Sequence, residues 1–564
     1  VPNLKYNLDR ALFNPGVYQL QDFYSKVFNF DPYLGQIMPA EEFDYGALRQ
    51  YVTSSKDTDL LNLTIEHKKK YTGSTSSMTS TLSHFHYLLS GFRPPNFDML
   101  SHQFMTSGEA VNSFTRFTRA PVATFLHWKD GAYAIDADKE FDSETVLSLL
   151  GRSMEKLFTL DKKDHEKYRK SASGQLAGEA PPDPSVYHYT TIGDVLMRSQ
   201  LDAHDERLPG TGMFDLKTRA VISVRMNIHN YKDGQGYEIR DRFGPFESFE
   251  REYYDMIRSA FLKYSLQARM GRMTGIYVAY HNTKRIFGFQ YIPLSEMDHA
   301  VHGTRNMSHG DREYKASVHL LNVVLDKVTA RFPEKTLRLF IEARPGKTPF
   351  MYIFAKPVSD KEVAEVQGKA QSKAERIALK MGDTSAKAED EDNGEVALDD
   401  STAIQESADA SELREMLKAD KRQKAIPKSS PAEKIEKTEK TEEASPAEEA
   451  EKTEEAEENK ELLGLILSIR HKVNGKPVEP TSTDMFDDGA IWNIDYSIRG
   501  MAPSEANRNF QKLRNRRLQV YTSTQPGAST FNDEFREKLS RYNKRGISYR
   551  QRLNRQSEGR PVRV

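Results

Sequence analysis

Two aspartates and a lysine in the middle of the chain have the residue types and the spacing of a metal-dependent phosphodiesterase. Asp202 and Asp215 each follow an apolar run, and a Pro-Gly-Thr-Gly turn at 209–212 separates them. Lys217 comes two residues after the second aspartate. Carboxylates hold a divalent cation, and a neighbouring lysine steadies the attacking water or the charge on phosphorus. The pattern predicts a hairpin over about 194–227 that brings both carboxylates to one cation.

A plainer interpretation of the same residues is a hairpin with surface aspartates and an ordinary ion pair to Lys217. Such a pair contributes little to stability. Two buried carboxylates, in contrast, repel each other unless a cation neutralises them or a proton is retained. Spacing alone leaves both interpretations open.

The elements around this hairpin must position its side chains. Helical periodicity predicts a helix over about 143–170, which carries Glu155, and a long helix over about 246–270. Between and after them lie β-type runs, among them 275–280 and 284–292. Helix, strand hairpin, helix and strand is an α/β order around a mixed sheet.

Composition excludes several classes of protein. The chain has 564 residues and no cysteine, so disulfides and thiolate zinc sites are excluded. The longest apolar run, Leu462 to Ile469, is far shorter than the roughly 20 residues of a membrane helix and is typical of a buried strand. We therefore expect no transmembrane helix, and any membrane contact would be peripheral.

A long acidic segment interrupts the chain. No Phe, Tyr or Trp lies between Ala355 and Met485, and 389–460 holds 24 acidic and 11 basic residues, a net charge of −13. Such a segment buries too little apolar surface to order itself, so we predict a disordered, solvated insertion. An acidic docking tail or nucleic-acid mimic is the alternative. Strands are expected again over 462–473 and 491–498, where they complete the core sheet.

The C-terminal segment is basic and aromatic. From Met501 to Val564 there are 15 basic and 5 acidic residues, a net charge of +10. The aromatic residues among them are Phe510, Tyr521, Phe531, Phe535, Tyr542 and Tyr549. Basic groups attract phosphates and aromatic faces stack on bases, which favours RNA contact. A helix with a solvated basic face would have the same composition.

Taken together, the central motifs resemble the PD-(D/E)XK nuclease superfamily, and its RecB-like branch in particular. The matching residues are Gly151-Arg152-Ser153-Met154-Glu155 on a helix, Leu201-Asp202 at a strand end, and Asp215-Leu216-Lys217 on the next strand. Leu201 stands where the superfamily usually has proline, a departure that this branch tolerates. The resemblance implies an α/β, restriction-endonuclease-like core with a mixed sheet flanked by helices, plus an N-terminal extension and the acidic insertion.

The resemblance also implies a role for each matching residue. The implied ligands of Mg²⁺ or Mn²⁺ are Asp202, Asp215, the Leu216 carbonyl and Glu155. Lys217 would position or deprotonate the attacking water and stabilise the charged transition state.

Two assignments stay open. A later helix in this branch often carries a functional Gln or Tyr, for which Gln267 and Tyr264 are the candidates, with Gln267 preferred. Glu144 is the alternative to Glu155 as the helix carboxylate. A solvated helix position is the plainer interpretation of Glu155 and of Gln267.

A second resemblance covers the chain from its first residues to about Ile353. The segments Ala11–Tyr18, Asn29–Leu34, Gly73–Pro94 and Leu208–Val221 resemble the fungal mitochondrial RNA-processing exonuclease family, known for petite respiratory phenotypes when lost. This resemblance implies a protein of the mitochondrial matrix, peripherally associated with the inner membrane. It further implies trimming of RNA 5′ ends in the 5′-to-3′ direction and links to the mitochondrial RNA polymerase and the RNA degradosome.

The predicted organisation has five parts. They are a family-specific N-terminal region (1–140), the PD-(D/E)XK nuclease core (141–354), the disordered charged insertion (355–460), strands completing the core (461–500) and a basic RNA-contacting region (501–564). The predicted activity is that of a metal-dependent exoribonuclease. A non-catalytic RNA-binding adaptor is the alternative, and a DNA nuclease is the weaker third hypothesis.

Other motifs point to less chemistry. His84 and His86 are two residues apart, which puts them on different faces of a helix and argues against a metal shared between them. A structural role is favoured over RNA contact or assistance to the site. Gly210 and Gly212 are too few for a phosphate-binding glycine loop and are better explained as turn residues.

Overall fold

The structure is a computed structural model that describes residues 1–142, 145–175, 186–228, 230–346, 348–368, 461–522, 530–559 and 561–563. Residues 369–460 of the predicted acidic insertion lie outside the described residues, as does Glu144.

Within the described residues, strands form two sheets, one of five strands and one of ten. In chain order they are β1 (Tyr18–Gln19), β2 (Tyr71–Ser74), β3 (Val122–Lys129), β4 (Ala132–Ala137), β5 (Val186–Ile192), β6 (Val195–Leu201), β7 (Ala203–His204), β8 (Met213–Ala220), β9 (Gly275–His281), β10 (Ile286–Pro293), β11 (Leu337–Arg344), β12 (Phe350–Pro357), β13 (Leu463–Val473), β14 (Lys476–Val478) and β15 (Trp492–Gly500).

Helices cover and separate the two sheets. They are α1 (Thr58–Glu66), α2 (Thr75–Leu89), α3 (His102–Met105), α4 (Val146–Thr159), α5 (Lys162–Glu166), α6 (Ile222–Arg225), α7 (Phe249–Ser259), α8 (Phe261–Gly271), α9 (Leu294–His302), α10 (Met307–Arg331), α11 (Pro503–Thr522) and α12 (Thr530–Ser557). Residues 360–368 are also helical. In the described parts of the chain, none of these helices combines the length and apolar composition needed to cross a membrane.

The smaller sheet has the order β1-β10-β9-β8-β7, with β8 and β9 parallel. Every residue of β9 is buried, as expected of a strand covered on both faces. The larger sheet runs β14-β13-β12-β11-β3-β4-β2-β6-β5, with β15 paired to β13. Its strand β2 is parallel to both β4 and β6. The predicted α/β class with mixed sheets flanked by helices is confirmed, although the strands divide between two sheets.

The strands expected after the acidic segment extend the larger sheet. β13 pairs antiparallel with β12, and β15 pairs antiparallel with β13. Strands from residues 71–137 pair in the same sheet with strands that come after residue 186, so distant parts of the sequence share one core.

The long helix predicted over about 246–270 is instead two helices, α7 and α8, and the prediction of one continuous helix is wrong. The break falls at Ala260, whose φ of −129° lies outside the helical range. Just before it, the Ser259 hydroxyl donates to the Asp255 carbonyl at 2.6 Å. Such back-bonding to the preceding turn bends helices. Because of this break, α8 is a separate helix from α7, and α8 carries Tyr264 and Gln267.

Candidate active site

Asp202 lies where the chain leaves one sheet and enters the other. It follows β6 of the larger sheet and precedes β7 of the smaller sheet. Its Oδ2 accepts a hydrogen bond from the backbone N–H of Leu216 on β8 at 3.1 Å. This carboxylate therefore connects the end of β6 to the neighbouring strand.

The predicted hairpin over 194–227 is much shorter than expected. Only Ala203 and His204 pair with β8, opposite Phe214 and Met213. The rest of the first apolar run forms β6, which pairs with β5 and β2 in the larger sheet. The prediction of a long hairpin is wrong because β6 pairs with β2 and β5, while β8 pairs mainly with β9. The two aspartates are nevertheless adjacent, as predicted.

Strand β8 presents Asp215 and Lys217 on one face, because alternate residues of a strand point the same way. Asp215 is only 6% exposed. The Lys217 Nζ lies 2.6 Å from Asp215 Oδ2. The Lys217 ammonium also lies over the ring of Tyr264, 5.3 Å from its centroid.

The pKa values of the two aspartates are shifted in opposite directions. Burial raises the pKa of Asp202 well above its usual range, and the adjacent Asp215, to which it donates a hydrogen bond, raises it further. Burial alone would also raise the pKa of Asp215, but Lys217 and the Asp202 hydrogen bond outweigh burial and lower it. Opposite pKa shifts of this kind are expected of like charges brought together without a cation.

Helix α4 supplies a third carboxyl. It begins after Thr145, whose hydroxyl accepts from the Ser148 N–H at 3.2 Å, and it packs against β8. Glu155 projects from α4 toward the aspartate pair. Burial raises its pKa to about 7, Lys217 opposes that rise and Asp215 adds to it.

Helix α8 closes the other side. Tyr264 and Gln267 are three residues apart, which puts them on one helix face. The Gln267 Oε1 is buried and has no hydrogen-bond partner among the described residues. A buried, unpaired amide oxygen is costly, and here it faces a site that could take a ligand.

All of these side chains line one cleft of about 450 Å³. The predicted site residues in its wall are Glu155, Asp202, Asp215, Leu216, Lys217, Tyr264 and Gln267. The structure therefore brings together every described residue that the sequence assigned to the site. We call this space the cleft.

Sequence reasoning missed the rest of the wall. The Arg198 guanidinium lies 4.6 Å from the ring centroid of Tyr187 and 5.7 Å from that of Tyr51. Tyr51 is half exposed, and its hydroxyl is hydrogen-bonded to Ser74 and Ser76 at the start of α2. Arg198 is buried and paired with Asp57, so it holds the two rings in place, and the rings beside a row of hydroxyls are suited to a nucleotide chain. These residues lie far apart in sequence, and the only local feature that marks any of them is the Ser/Thr-rich run over 72–81.

The residues in the cleft fit a divalent cation. Three carboxyls converge there, and two of them have raised pKa values that a cation would lower. The Leu216 N–H points to Asp202, and since the N–H and C=O of one strand residue face the same side, its carbonyl faces Asp202 as well. Asp202, Asp215, Glu155 and the Leu216 carbonyl thus form an all-oxygen donor set, which Mg²⁺ and Mn²⁺ prefer.

Neither His84 nor His86 lines the cleft as the described residues form it. The His84 ring bonds to the Ala120 carbonyl at 2.9 Å and accepts from the Ala343 N–H at 3.1 Å. His86 contacts Glu313 instead. Both rings are buried, so the favoured structural role fits His84, and contact with RNA is excluded for both in this conformation.

The aromatic side chains of the C-terminal arm, defined as α11 and α12, pack on the body of the protein. Phe510 contacts Phe340, Tyr521 stacks on Phe141 and Tyr542 stacks on Phe246. Phe535 and Tyr549 also contact the body, and nothing is described of the Phe531 side chain. The five described rings therefore bury part of their surface within the fold, and RNA contact by the arm stays a prediction.

Many basic residues of the arm are also engaged. Arg516 pairs with Glu342, Arg517 with Asp138, and Lys538 with Glu109. Arg545 and Arg550 likewise contact Glu247 and Glu238. Others, among them Arg508, Arg541 and Lys544, are exposed. Phosphate contact by the arm thus rests on the exposed group alone.

Comparison with known proteins gives a consistent family. The model of a family described as mitochondrial protein Pet127 matches residues 51–326, a range that contains the whole predicted site. The mRNA degradation protein pet127, mitochondrial, of Schizosaccharomyces pombe is 38% identical over 367 residues, which cover 64% of this chain and 69% of that protein. The putative mitochondrial translation system component PET127 of Saccharomyces cerevisiae is 41% identical over 325 residues, which cover 54% of this chain and 38% of that protein.

One solved structure was also compared. Candida albicans Rai1 in complex with pU5-Mn²⁺ aligns with a TM-score of 0.29 and 13% identity, over 65% of this chain and 94% of that chain. A likeness of this degree carries no argument about the cleft.

Proposed function

This chain belongs to the Pet127 family of mitochondrial proteins, and from that premise we propose that it is a divalent-metal-dependent exoribonuclease acting on mitochondrial RNA. One observation carries the proposal: Asp202, Asp215 and Glu155 crowd into a single cleft beside Lys217. The name of the Schizosaccharomyces relative, an mRNA degradation protein, supports RNA as the substrate. The resemblance to PD-(D/E)XK nucleases supports hydrolysis of a phosphodiester in this cleft.

Each of the predicted site residues has a role in this proposal. Asp202, Asp215, Glu155 and the Leu216 carbonyl would hold Mg²⁺ or Mn²⁺, which supplies Lewis-acid polarisation and a more acidic bound water. Burial would lower the pKa of Lys217, but Asp215 and Asp202 outweigh burial and raise it. A cation held by the two aspartates would oppose this rise. Lys217 therefore keeps both proposed roles: it would position or deprotonate the attacking water and stabilise the charge on the phosphoryl oxygens.

The wall of the cleft supplies substrate binding. Tyr51 and Tyr187, whose rings lie against Arg198, offer aromatic faces to a single-stranded chain, while Arg198 itself is buried and paired with Asp57. Gln267 offers its unpaired amide oxygen to a water or to a ribose hydroxyl. The 5′-to-3′ direction, the peripheral association with the inner membrane and the links to RNA polymerase and degradosome belong to the proposal on the strength of the sequence resemblance.

A nuclease assay with matched variants tests the proposal. Purified full chain is incubated with 5′-monophosphate RNA and Mg²⁺ or Mn²⁺, alongside Asp215→Asn and Lys217→Met. The control is Lys70→Met, which removes a lysine paired with Asp194 at 3.4 Å on the surface. We expect a loss of about 10²–10³-fold or more in the cleft variants, the scale of removing one preorganised charge-stabilising group, and no loss in the control.

The outcomes separate the hypotheses. Degradation by wild type and both cleft variants alike would refute the site. Binding without degradation by any form would support the RNA-binding adaptor instead. RNA labelled separately at its 5′ and 3′ ends reports the direction of digestion, and an equivalent deoxy-oligonucleotide reports whether DNA is also cut.

A further inference from the structure

A second group of metal-binding side chains lies inside the protein, and none of its members lines the cleft in the described residues. His86 comes from α2, His302 from the end of α9, and His309 and Glu313 from α10. His309 and Glu313 are four residues apart and share a helix face. We call these four residues the histidine cluster.

Glu313 lies close to all three histidines of the cluster. The Nδ1 of His86 contacts Glu313 Oε1 directly. The His302 Nδ1 and the His309 Nε2 each lie 3.6 Å from Glu313 Oε2. A separation of 3.6 Å is too long for a good hydrogen bond. It is close to the separation of two ligands that each lie about 2.0–2.2 Å from one tetrahedral ion.

The cluster is closed to solvent and its polar atoms are not satisfied. Each of the four side chains is at most 4% exposed. Among the described residues, His86 Nε2, His302 Nδ1 and both ring nitrogens of His309 have no hydrogen-bond partner. A buried, unpaired polar atom is costly, so several in one place call for a ligand.

A second carboxylate lies on the far side of His302. The His302 Nε2 is 3.7 Å from Asp298 Oδ1, while its Nδ1 faces Glu313. The other Asp298 oxygen accepts from Arg269 at 2.7 Å, which fixes the carboxylate. At 3.7 Å the two groups form no good hydrogen bond, but the negative charge near Nε2 favours a basic ring, as it does in a metal ligand.

His86, His302 and Glu313 each offer a ligand atom that lies within 4.8 Å of the other two. We propose that these three residues bind one divalent ion of the zinc class in a closed, structural site, with His309, whose Nε2 lies 3.6 Å from Glu313 Oε2, as the fourth ligand. Imidazole and carboxylate donors in a four-residue set suit Zn²⁺ better than the all-oxygen cations expected in the cleft. The proposal stands on this geometry and is independent of nuclease activity.

A cap of aromatic side chains from the segment after the acidic insertion seals the cluster. Trp492 stacks on His309 with ring centroids 5.5 Å apart, and Phe486 packs edge-on to the same ring at 4.6 Å. Arg312, beside Glu313, donates to the Met485 carbonyl at 2.6 Å and so holds this cap in place. A site covered in this way is typical of structural rather than catalytic zinc.

The site would also brace the cleft. The first turn of α2, at Thr75 and Ser76, lines the cleft, and His86 lies roughly 16 Å further along the helix at 1.5 Å per residue. An ion that joins α2 to α9 and α10 would fix the position of this helix. Its effect on the nuclease would be positional.

Metal analysis of the full chain, expressed without a histidine tag, tests the proposal. After dialysis against a chelating resin, we expect close to one Zn²⁺ per chain by inductively coupled plasma mass spectrometry. Asp215→Asn should keep that ion, since it alters only the cleft. His302→Gln and His309→Gln should lose it, whereas His84→Gln, an equally buried histidine on the same helix as His86, should keep it.

Two results would overturn the proposal. One is a folded wild-type chain that holds no ion and takes up none from added Zn²⁺. The other is an ion retained in His302→Gln and His309→Gln. Should these variants not fold, X-ray absorption at the zinc edge of the wild-type chain decides the matter. Histidine scattering around zinc supports the site, and its absence refutes it.

Discussion

The cleft and the C-terminal arm are both built from charged and aromatic side chains, but their charges are matched differently. In the arm, Arg517 contacts Asp138 at 2.8 Å and Glu140 at 2.8 Å, and each acid has a basic partner. In the cleft, Asp202, Asp215 and Glu155 crowd together, and Asp215 adds to the rise in the pKa of Asp202 that burial causes.

The pKa values separate the two regions. Burial would raise the pKa of Asp138, yet Arg517 and Arg338 outweigh burial and lower it to about 2. Burial raises the pKa of Glu155 to about 7, and Lys217 does not outweigh it. Matched charges fasten one part of the fold to another, whereas mismatched charges mark a place where a ligand completes the balance.

The largest effect on stability is expected for Arg517→Met in the arm. This change leaves Asp138 buried with only Arg338, which stays 2.6 Å away. Removing one partner of a buried pair costs about 3–5 kcal/mol, and the remaining arginine puts this variant near the lower end. Chemical denaturation measures the loss. Arg508→Met, an exposed arginine on the same helix, is the control and should lie within about 0.5 kcal/mol of wild type.

A somewhat smaller effect, on catalysis rather than stability, is expected for Asp202→Asn in the cleft. Activity should fall by about 10²–10³-fold, since a charge that balances the cation is lost. The free energy of unfolding should be unchanged or slightly higher without cation, because one of three crowded carboxyls is removed. Single-turnover kinetics and denaturation, run on the same preparation, check both. A large loss of stability with normal activity would reverse the comparison.

Sequence patterns predicted which residues meet in the cleft better than the strands that carry them. Asp202, Asp215, Lys217 and Glu155 were chosen because their types and order resemble those of PD-(D/E)XK nucleases, and all four line the cleft. The hairpin was overextended because an apolar run does not say which strand it pairs with. Strand β6 pairs with β5, its neighbour in sequence, and with β2, which lies more than a hundred residues earlier in the chain.

In the arm, composition did not distinguish between two structures. Interleaved rings and basic groups describe equally an RNA-binding surface and a helix that packs on an acidic, aromatic body. The distinction depends on partners such as Phe141 and Glu342, which nothing in the local pattern identifies. The histidine cluster could not be predicted from the sequence for the same reason, since His86 and Glu313 are separated by 227 residues.

The smallest expected effect is a pH dependence confined to the cleft. The pKa of Glu155 is raised from an ordinary value of 4.5 to about 7. Between those values the folded chain keeps a proton that the unfolded chain has lost. This carboxyl therefore lowers stability progressively as pH rises from about 4.5 to about 7, and no further above that. Asp202 acts in the same direction.

Thermal unfolding at pH 5.5, 6.5 and 7.5 in EDTA, for wild type and Glu155→Gln, isolates this contribution from that of the buried histidines. The stability advantage of Glu155→Gln should grow with pH, while Glu66→Gln, an exposed carboxyl on α1, should show no such trend. Added Mg²⁺ should remove the advantage at pH 7.5, because a cation binds the deprotonated carboxyls and stabilises only the wild-type set fully. A difference that stays constant across this pH range, with or without Mg²⁺, would mean that Glu155 is as well matched as the acids of the arm and has no share in holding the cation.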